Sequence, residues 1–197
     1  MAFLVLVFTI LSHSPAGARA LVARARQSGV ASRTAVVALA VSAVGLVGIA
    51  NHEAFVGKAY RDGAGIPTIG YGETAGVRMG DTTTPQRALV QLLGSANAHG
   101  DGVKRCIRVP LFQYEFDAYV DLAYNIGVPA FCRSRKHPDD PPTFIEVLNA
   151  GDYAEACKRV LTFNTFRRCP TCAREVSRGL TLRREANYRT CVGEGGT

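Results

Sequence analysis

Residues Asn51–Thr74, which read NHEAFVGKAYRDGAGIPTIGYGET, decide the fold of this chain. Glu53 lies three residues past the end of an apolar stretch; eight residues separate it from Asp62, and five more separate Asp62 from Thr68. The Asp-Gly-Ala-Gly sequence that begins at Asp62 is typical of a tight turn, and the alternation over Ile66–Tyr71 is typical of a short strand. The segment therefore predicts a helix end that faces a β-hairpin across a small cleft.

Two carboxyl groups in one cleft suit the hydrolysis of a glycosidic bond. One must protonate the leaving oxygen, while the other activates water or attacks the sugar. Glu53 precedes the apolar residues Ala54 and Phe55, where loss of hydration favours a protonated carboxyl group, so we assign it as the general acid. Asp62 in its open turn is expected to stay ionised, and the Thr68 hydroxyl is expected to hold the attacking water.

Each of these three residues also has a structural interpretation. A lone glutamate after an apolar helix is usually solvated, an aspartate before glycine usually forms a turn, and a threonine in a strand usually packs. Only their joint spacing within one hairpin favours catalysis over these alternatives. His52, next to Glu53, is interpreted as structural or modulatory rather than as a base.

The spacing resembles the signature of the T4-type phage lysozymes, glycoside hydrolase family 24, whose hairpin reads D-x(3)-I-x-T-I-G-Y-G. Asp117–Gly127, Leu148–Tyr153 and Gly179–Glu185 resemble later blocks of the same family, so the likeness extends to about Cys191. The resemblance implies an α+β, two-lobed fold that is mainly helical with a small β-hairpin lobe. It places the catalytic domain at residues 51–197.

The resemblance also implies a reaction. Glu53 would be the acid, with Asp62 and Thr68 positioning water, in an inverting hydrolysis of the link between N-acetylmuramic acid and N-acetylglucosamine in peptidoglycan. Neither a cofactor nor a metal is needed, and a monomeric endolysin serving phage release from a Gram-negative host is expected. Asn125, in the YNIG sequence, is a weaker candidate for substrate contact. Two alternatives stay open: a lytic transglycosylase, which leaves a 1,6-anhydro end, and a non-catalytic wall-binding or membrane-perturbing protein.

The charge distribution disfavours a nucleic-acid partner. The net charge is +7, and the residues up to His52 hold four arginines and no acid, which leaves 19 − 16 = +3 for the remainder. Nucleic-acid binding would require clustered basic residues with interleaved aromatics. A mild, dispersed positive charge suits a polyanionic cell wall.

The apolar run Thr34–Ala50 resembles the signal-anchor-release segment of certain phage endolysins. Its 17 uncharged residues would span about 26 Å as a helix, which is barely enough to cross a bilayer. Eight large apolar side chains give only about −2 to −5 kcal/mol towards insertion, so the segment is marginal in a membrane. Arg24, Arg26 and Arg33 precede it, so the positive-inside rule places the N-terminus in the cytoplasm and the catalytic domain in the periplasm.

Such an anchor predicts a restraint on activity. Each arginine held on the negative side resists extraction by about 2.3 kcal/mol per 100 mV, so loss of the membrane potential frees the segment. Glu53 lies about 5 Å beyond Ala50 along a continuing helix, at the lipid headgroups, where substrate cannot surround it. Two alternatives to release stay open: the segment is a permanent anchor, or it is a signal sequence that is cleaved near Ala50.

Residues 1–33 are assigned as a basic tail or signal-like segment. Ala2–Leu11 is apolar but too short to span a bilayer. It is interpreted as a signal-peptide core, with Ala16–Ala18 as the cleavage motif. The alternatives are an over-extended reading frame and a weakly structured tail.

The cysteines indicate export, because all six follow the anchor: Cys106, Cys132, Cys157, Cys169, Cys172 and Cys191. They predict three disulfides with fifteen possible pairings, of which Cys106 with Cys132 is preferred because the two bracket one helical hairpin. A structural zinc site needs four ligands, and the CxxC sequence at Cys169 has no second paired motif. Since the anchor has no cysteine, thiol exchange cannot activate this protein.

Later segments complete the prediction. Thr84 and Pro85 are typical of a helix start, and this helix would link the lobes. Apolar residues recur at helical spacing from Leu111 to Tyr124, which indicates a buried stripe. The Pro-rich Arg135–Pro142 and the absence of tryptophan from the chain, including Thr165–Arg168, depart from the family pattern.

Overall fold

The computed structural model describes residues 32–169 and 171–194. The helices are α1 (Ala43–His52), α2 (Pro85–Lys104), α3 (Gln113–Ile126), α4 (Val128–Phe131), α5 (Phe144–Asn149), α6 (Tyr153–Val160) and α7 (Arg178–Cys191). Two antiparallel pairs of strands accompany them: β1 (Val56–Arg61) with β2 (Pro67–Gly70), and β3 (Thr165–Phe166) with β4 (Glu175–Val176). The predicted signal-like run Ala2–Leu11 lies outside the described residues.

The apolar segment Thr34–Ala50 is folded against the domain in two pieces. Thr34 exchanges backbone hydrogen bonds with Leu111, at 2.7 and 2.9 Å, and a 3-10 turn follows at Val36–Ala38. Extended chain then leads to α1, whose first turn is capped by the Ser42 hydroxyl, which accepts a hydrogen bond from the Gly45 amide. The continuous helix predicted over this segment is therefore absent from the folded domain.

The end of the segment Thr34–Ala50 is helical, as the sequence predicts. Helix α1 ends at His52, and Glu53 is its C-cap, so the helix does run on from the apolar stretch to the proposed acid. Within residues 32–169 and 171–194, no helix combines the length and apolar character that crossing a membrane requires. The membrane span stays a prediction.

The β1–β2 hairpin forms where the sequence predicts it. Tyr60 pairs with Thr68, and Arg61 pairs with Pro67. In the turn, one carboxylate oxygen of Asp62 accepts hydrogen bonds from the amides of Ala64 and Ile66, each at 2.8 Å. Asp62 thus closes the turn that sets the register of the two strands.

Helices α2 and α3 build the core. Thr84 caps α2 by accepting a hydrogen bond from the Arg87 amide, and Pro85 occupies its first turn, as predicted. The predicted apolar stripe of α3 is buried, with Phe116 and Tyr119 inaccessible to solvent. Helix α3 packs against α1, α2 and α7, so it links the apolar segment to two other helices of the fold.

Disulfides join the C-terminal half of the domain. Cys106 bonds to Cys132, as predicted, Cys157 bonds to Cys191 between α6 and α7, and Cys169 bonds to Cys172 within the β3–β4 connection. The CxxC sequence therefore closes a short loop.

The two departures from the family pattern are both local. The β3–β4 hairpin occupies the region where the tryptophan was missing. Residues Arg135–Pro142 form a surface connection in which the Arg135 guanidinium donates to the carbonyls of Pro138 and Asp140.

Candidate active site

Glu53 lies where the end of α1 meets the end of the β1–β2 hairpin. A Cβ built on Gly72 would lie 3.4 Å from Oε2 of Glu53, and Gly72 has a φ of +88°, a conformation that favours glycine. The Tyr124 hydroxyl donates a hydrogen bond to the Tyr71 carbonyl at 3.0 Å, so α3 holds this end of the hairpin beside Glu53. Burial, followed by the charge of Glu53, raises the pKa of Tyr124, which keeps its hydroxyl a donor.

Asp62 and Thr68 lie at the turn and in the second strand of the same hairpin. Asp62 is half-buried, and Oδ1 is engaged with the turn amides. Thr68 is only 3% exposed, and its hydroxyl donates to the Ile66 carbonyl at 3.0 Å. Because that hydrogen is used, the Thr68 oxygen can bind water as an acceptor. Both residues therefore also fill the structural roles that the sequence suggested as alternatives.

A buried ion network extends inward from Glu53. Arg183 of α7 donates from Nη1 to Oε1 of Glu53 and from Nη2 to Oδ1 of Asp121, both at 2.6 Å. His52 Nδ1 lies 2.8 Å from Oδ2 of Asp121, which also accepts a hydrogen bond from Asn187. The four charged or titratable groups thus form a chain from His52 through Asp121 and Arg183 to Glu53.

This network corrects the predicted surroundings of Glu53. Apolar neighbours were expected around Glu53, but its carboxyl group forms an ion pair with the Arg183 guanidinium, at 2.6 Å. Burial acts to lower the pKa of Arg183, but the charges of Asp121 and Glu53 outweigh it and raise that pKa. Because Asp121 shares the guanidinium, the charge of Arg183 is not directed at Glu53 alone.

The exposed Asn125 bonds to a buried arginine. Its amide oxygen accepts a hydrogen bond from Arg184, a fully buried side chain that also donates to the Phe163 carbonyl and to Asn187. Burial, and then the charge of Arg183, lower the pKa of Arg184 to about 10. The Asn125 oxygen is therefore used within the fold, although the residue itself is exposed, and the suggested contact with substrate stays a prediction.

Sequence reasoning assigned no role to Arg183. The residue lies in the GLTLRRE sequence that resembles a family block, but 130 positions separate it from Glu53. The sequence offered one usable signal, because a half-buried carboxylate requires a positively charged partner. Neighbouring Arg184 satisfies the same description, so the sequence cannot tell which of the two reaches Glu53.

Asp121 makes the stability of the folded domain depend on pH. Burial opposes its ionisation, but the hydrogen bond with His52 and the charge of Arg183 prevail, so its pKa lies below the ordinary value. Its stabilising contribution is present above about pH 4, the pKa of an unfolded aspartate, and is lost as the pH falls through the lowered folded-state value.

We expect the melting temperature to fall less steeply below about pH 4 in Asp121→Asn than in the wild type, as measured by circular dichroism. Asp101→Asn, at a carboxylate 70% exposed, should keep the wild-type slope; parallel slopes for all three proteins would contradict this prediction.

In the part of the chain that the structure describes, no three His, Cys, Asp or Glu side chains are grouped so as to hold a metal ion. The charged groups of this site instead satisfy one another. At Glu53 the structure presents a carboxyl group whose position is fixed by a guanidinium.

Known proteins share these elements. A family model described as phage lysozyme matches residues 50–187. The SAR-endolysin of Pseudomonas phage phiKMV is 34% identical over 155 residues, which cover 79% of this chain and 88% of that protein. The endolysin from Escherichia coli O157:H7 phage FAHEc1 has a TM-score of 0.68 at 33% identity, covering 79% of this chain and 94% of its own. The muramidase domain of SpmX from Asticaccaulis excentricus has a TM-score of 0.69 at 25% identity, covering 78% and 98%.

These structures confirm the predicted α+β fold class, mainly helical with small antiparallel sheets. The family match includes the end of α1, the hairpin and the Arg183 region in one alignment. With both the sequence and the fold in agreement, the chain belongs to the phage lysozyme family.

Proposed function

We propose that this endolysin hydrolyses the β-1,4 linkage between N-acetylmuramic acid and N-acetylglucosamine with Glu53 as the acid. Asp62 and Thr68 would position the attacking water on the opposite face of the sugar. The observation that supports this assignment most directly is the position of Glu53, at the junction of α1 and the hairpin and in an ion pair with Arg183.

The ion pair suggests how the charge that develops on the acid is stabilised during the reaction. Glu53 gives its proton to the leaving oxygen as the glycosidic bond breaks, and it becomes a carboxylate. Arg183, at 2.6 Å, stabilises that carboxylate at the moment it forms. Asp121 holds the other side of the guanidinium and keeps it in place when Glu53 is neutral. In the same displacement, water attacks the anomeric carbon and gives a proton to Asp62, and proton exchange with solvent then restores both carboxyl groups.

The transglycosylase alternative differs in product. If the sugar closed on its own oxocarbenium ion, the fragments would end in a 1,6-anhydro group instead of a reducing end.

We further propose that the segment Thr34–Ala50 anchors the enzyme in the host inner membrane before it folds against the domain in the periplasm. Three of its side chains remain largely exposed after folding: Val37 at 76%, Val44 at 67% and Val47 at 56%. Exposed valines on a segment that also buries Ile49 give it apolar surface on both sides, which suits a lipid surrounding as well as the folded state. The phiKMV relative, named a SAR-endolysin, supports this order of events.

Fractionation of expressing cells tests the release. We expect the full chain in the membrane fraction of energised cells, and in the soluble periplasmic fraction after the membrane potential is dissipated. The N-terminus of the soluble form should still include the apolar segment, which excludes cleavage near Ala50. A protein that degrades the wall while it stays in the membrane would contradict the proposed restraint.

A further inference from the structure

The three disulfides of the domain differ in their surroundings. The bond between α6 and α7 joins two cysteines that are only 2% and 1% exposed, and Cys106 and Cys132 pack against the hydrophobic core. The third bond, Cys169–Cys172, lies in the β3–β4 connection, where both cysteines are half-buried and Thr171 is exposed. We call it the loop disulfide. Because a thiol must reach a sulfur atom to exchange with it, the loop disulfide is the bond most open to attack from solution.

The loop disulfide also closes the shortest ring. Its cysteines are 3 positions apart, whereas the other two bonds join cysteines 26 and 34 positions apart. A cross-link over so few residues restricts the unfolded chain little. The hairpin around it has other bonds, because Thr165 pairs with Val176 and accepts a hydrogen bond from Arg174 at 2.9 Å. Opening of the loop disulfide therefore does not require the domain to unfold.

A hydroxyl group lies beside one of the two sulfur atoms. Oγ1 of Thr171 is 3.4 Å from Sγ of Cys169. When the disulfide opens, this hydroxyl can donate a hydrogen bond to the Cys169 thiolate, and such a bond favours the charged form of the sulfur. The Thr171 hydroxyl thus favours Cys169 as the sulfur that leaves when the bond is attacked.

Positive charge accompanies the loop disulfide in the sequence. Residues 165–176 contain three arginines and one glutamate, which gives 3 − 1 = +2. Arg168 forms an ion pair with Glu175 at 2.9 Å, and its side chain is nevertheless 70% exposed. Nearby cations stabilise a thiolate and attract an incoming one. The surroundings of the loop disulfide therefore suit attack by a thiolate and departure of another.

We propose that the loop disulfide is a site of thiol–disulfide exchange, which accepts two electrons from a dithiol. One thiolate of the dithiol attacks Sγ of Cys172. The bond between the two cysteine sulfurs breaks, and its electron pair stays on Sγ of Cys169, beside the Thr171 hydroxyl. The product is a mixed disulfide between the dithiol and Cys172.

The second thiol of the dithiol completes the exchange. After losing its proton, it attacks the sulfur that its own partner thiol placed in the mixed disulfide, and the Cys172 thiolate leaves. The dithiol is oxidised to a disulfide, the loop disulfide is reduced to two thiols, and the two protons of the dithiol pass to the cysteine sulfurs. The same steps in reverse restore the loop disulfide. This exchange differs from activation through the apolar segment, which has no cysteine.

The start of α7 is held independently of the loop disulfide. The Ser177 amide donates a hydrogen bond to the Asn164 carbonyl at 2.9 Å, and the Ser177 hydroxyl caps the helix by accepting from the Leu180 amide at 3.3 Å. These bonds lie between the disulfide and Arg183 along the chain. Reduction should therefore change the β3–β4 connection and leave α7 in place.

Selective reduction tests the site. Dithiothreitol is added to the purified full chain without denaturant, samples are blocked with N-ethylmaleimide, and the labelled peptides are identified by mass spectrometry. We expect Cys169 and Cys172 to be labelled at least about 100-fold faster than the other four cysteines, because their sulfurs are accessible and form stabilised thiolates. Circular dichroism should stay at the value of the oxidised protein. Labelling of all six cysteines together, or of Cys106 and Cys132 first, would overturn the proposal.

Single-cysteine variants test the direction of attack. Cys172→Ser keeps the thiol beside the Thr171 hydroxyl, whereas Cys169→Ser keeps the other one. At neutral pH, we expect Cys172→Ser to form a mixed disulfide with oxidised glutathione at least about fivefold faster than Cys169→Ser, because its thiolate is the better stabilised. The mass of each adduct measures the rate, and the other two disulfides stay intact in both variants. A faster reaction in Cys169→Ser would contradict the direction.

Thr171 supplies the matched control. In the Cys172→Ser background, Thr171→Val keeps the shape of the side chain but removes its hydroxyl, while Thr171→Ser keeps the hydroxyl. The valine variant should lose most of the fivefold advantage, and the serine variant should retain it. Equal rates in the two would mean that the hydroxyl does not select Cys169. No readout here uses glycan cleavage, so these results stand whether or not the proposed catalytic roles hold.

Discussion

Glu53→Gln is expected to lower the rate of peptidoglycan hydrolysis by about 10²–10⁴-fold, the usual contribution of general acid catalysis. Glutamine has the same shape and its amide oxygen can still accept the hydrogen bond from Arg183, so the fold should persist. It cannot give a proton to the leaving oxygen. The measurement is the release of reducing ends from purified peptidoglycan, with circular dichroism to confirm folding.

Glu155→Gln is the matched control for this prediction. That side chain is 43% exposed and forms an ion pair with Arg159 on α6, so its loss should leave the rate unchanged. A Glu53→Gln variant as active as this control would overturn the assignment of the acid. If the same variant killed permeabilised cells as well as the wild type, membrane damage rather than hydrolysis would be the cause of death.

Arg183→Ala is expected to lower the free energy of unfolding by about 3–5 kcal/mol. Its removal leaves Asp121, which is 4% exposed, without its closest cation, and the loss of one member of a buried pair is costly because the remaining charge stays desolvated. Glu53 loses its partner at the same time, so hydrolysis should fall as well. Urea unfolding at neutral pH under non-reducing conditions measures the first effect.

Arg189→Ala controls for the loss of an arginine from the same helix. Arg189 is exposed, so this change should cost less than about 1 kcal/mol. Arg183→Lys keeps the charge but cannot reach two carboxylates with one planar group, and we expect an intermediate loss. Equal stability of Arg183→Ala and Arg189→Ala would mean that the buried pair contributes nothing.

The features that the sequence predicted are those set by local rules. A glycine-rich turn after Asp62 predicts a hairpin, a threonine before a proline predicts the start of α2, and helical spacing predicts the buried face of α3. Each depends on residues within a few positions of one another, and the structure agrees on all three.

The features that the sequence did not predict depend on long-range packing. The partners of Glu53 and Asp121 are decided by where α7 crosses α3, which no local pattern encodes. The two-piece course of Thr34–Ala50 follows from Asp117 and Leu111, more than 60 residues away, which bind Ser42 and Thr34. Composition identified an apolar segment, but the same residues suit a bilayer and a protein core.

The stacking of Arg33 on Tyr153 has an optical consequence. The chain has seven tyrosines and no tryptophan, so its near-ultraviolet emission is not dominated by indole. A phenol ring beneath a guanidinium, 3.6 Å from its centre, experiences a local field that vanishes when the arginine departs. The molecule thus contains a spectroscopic probe of its own N-terminal segment, which can be observed without attaching a dye.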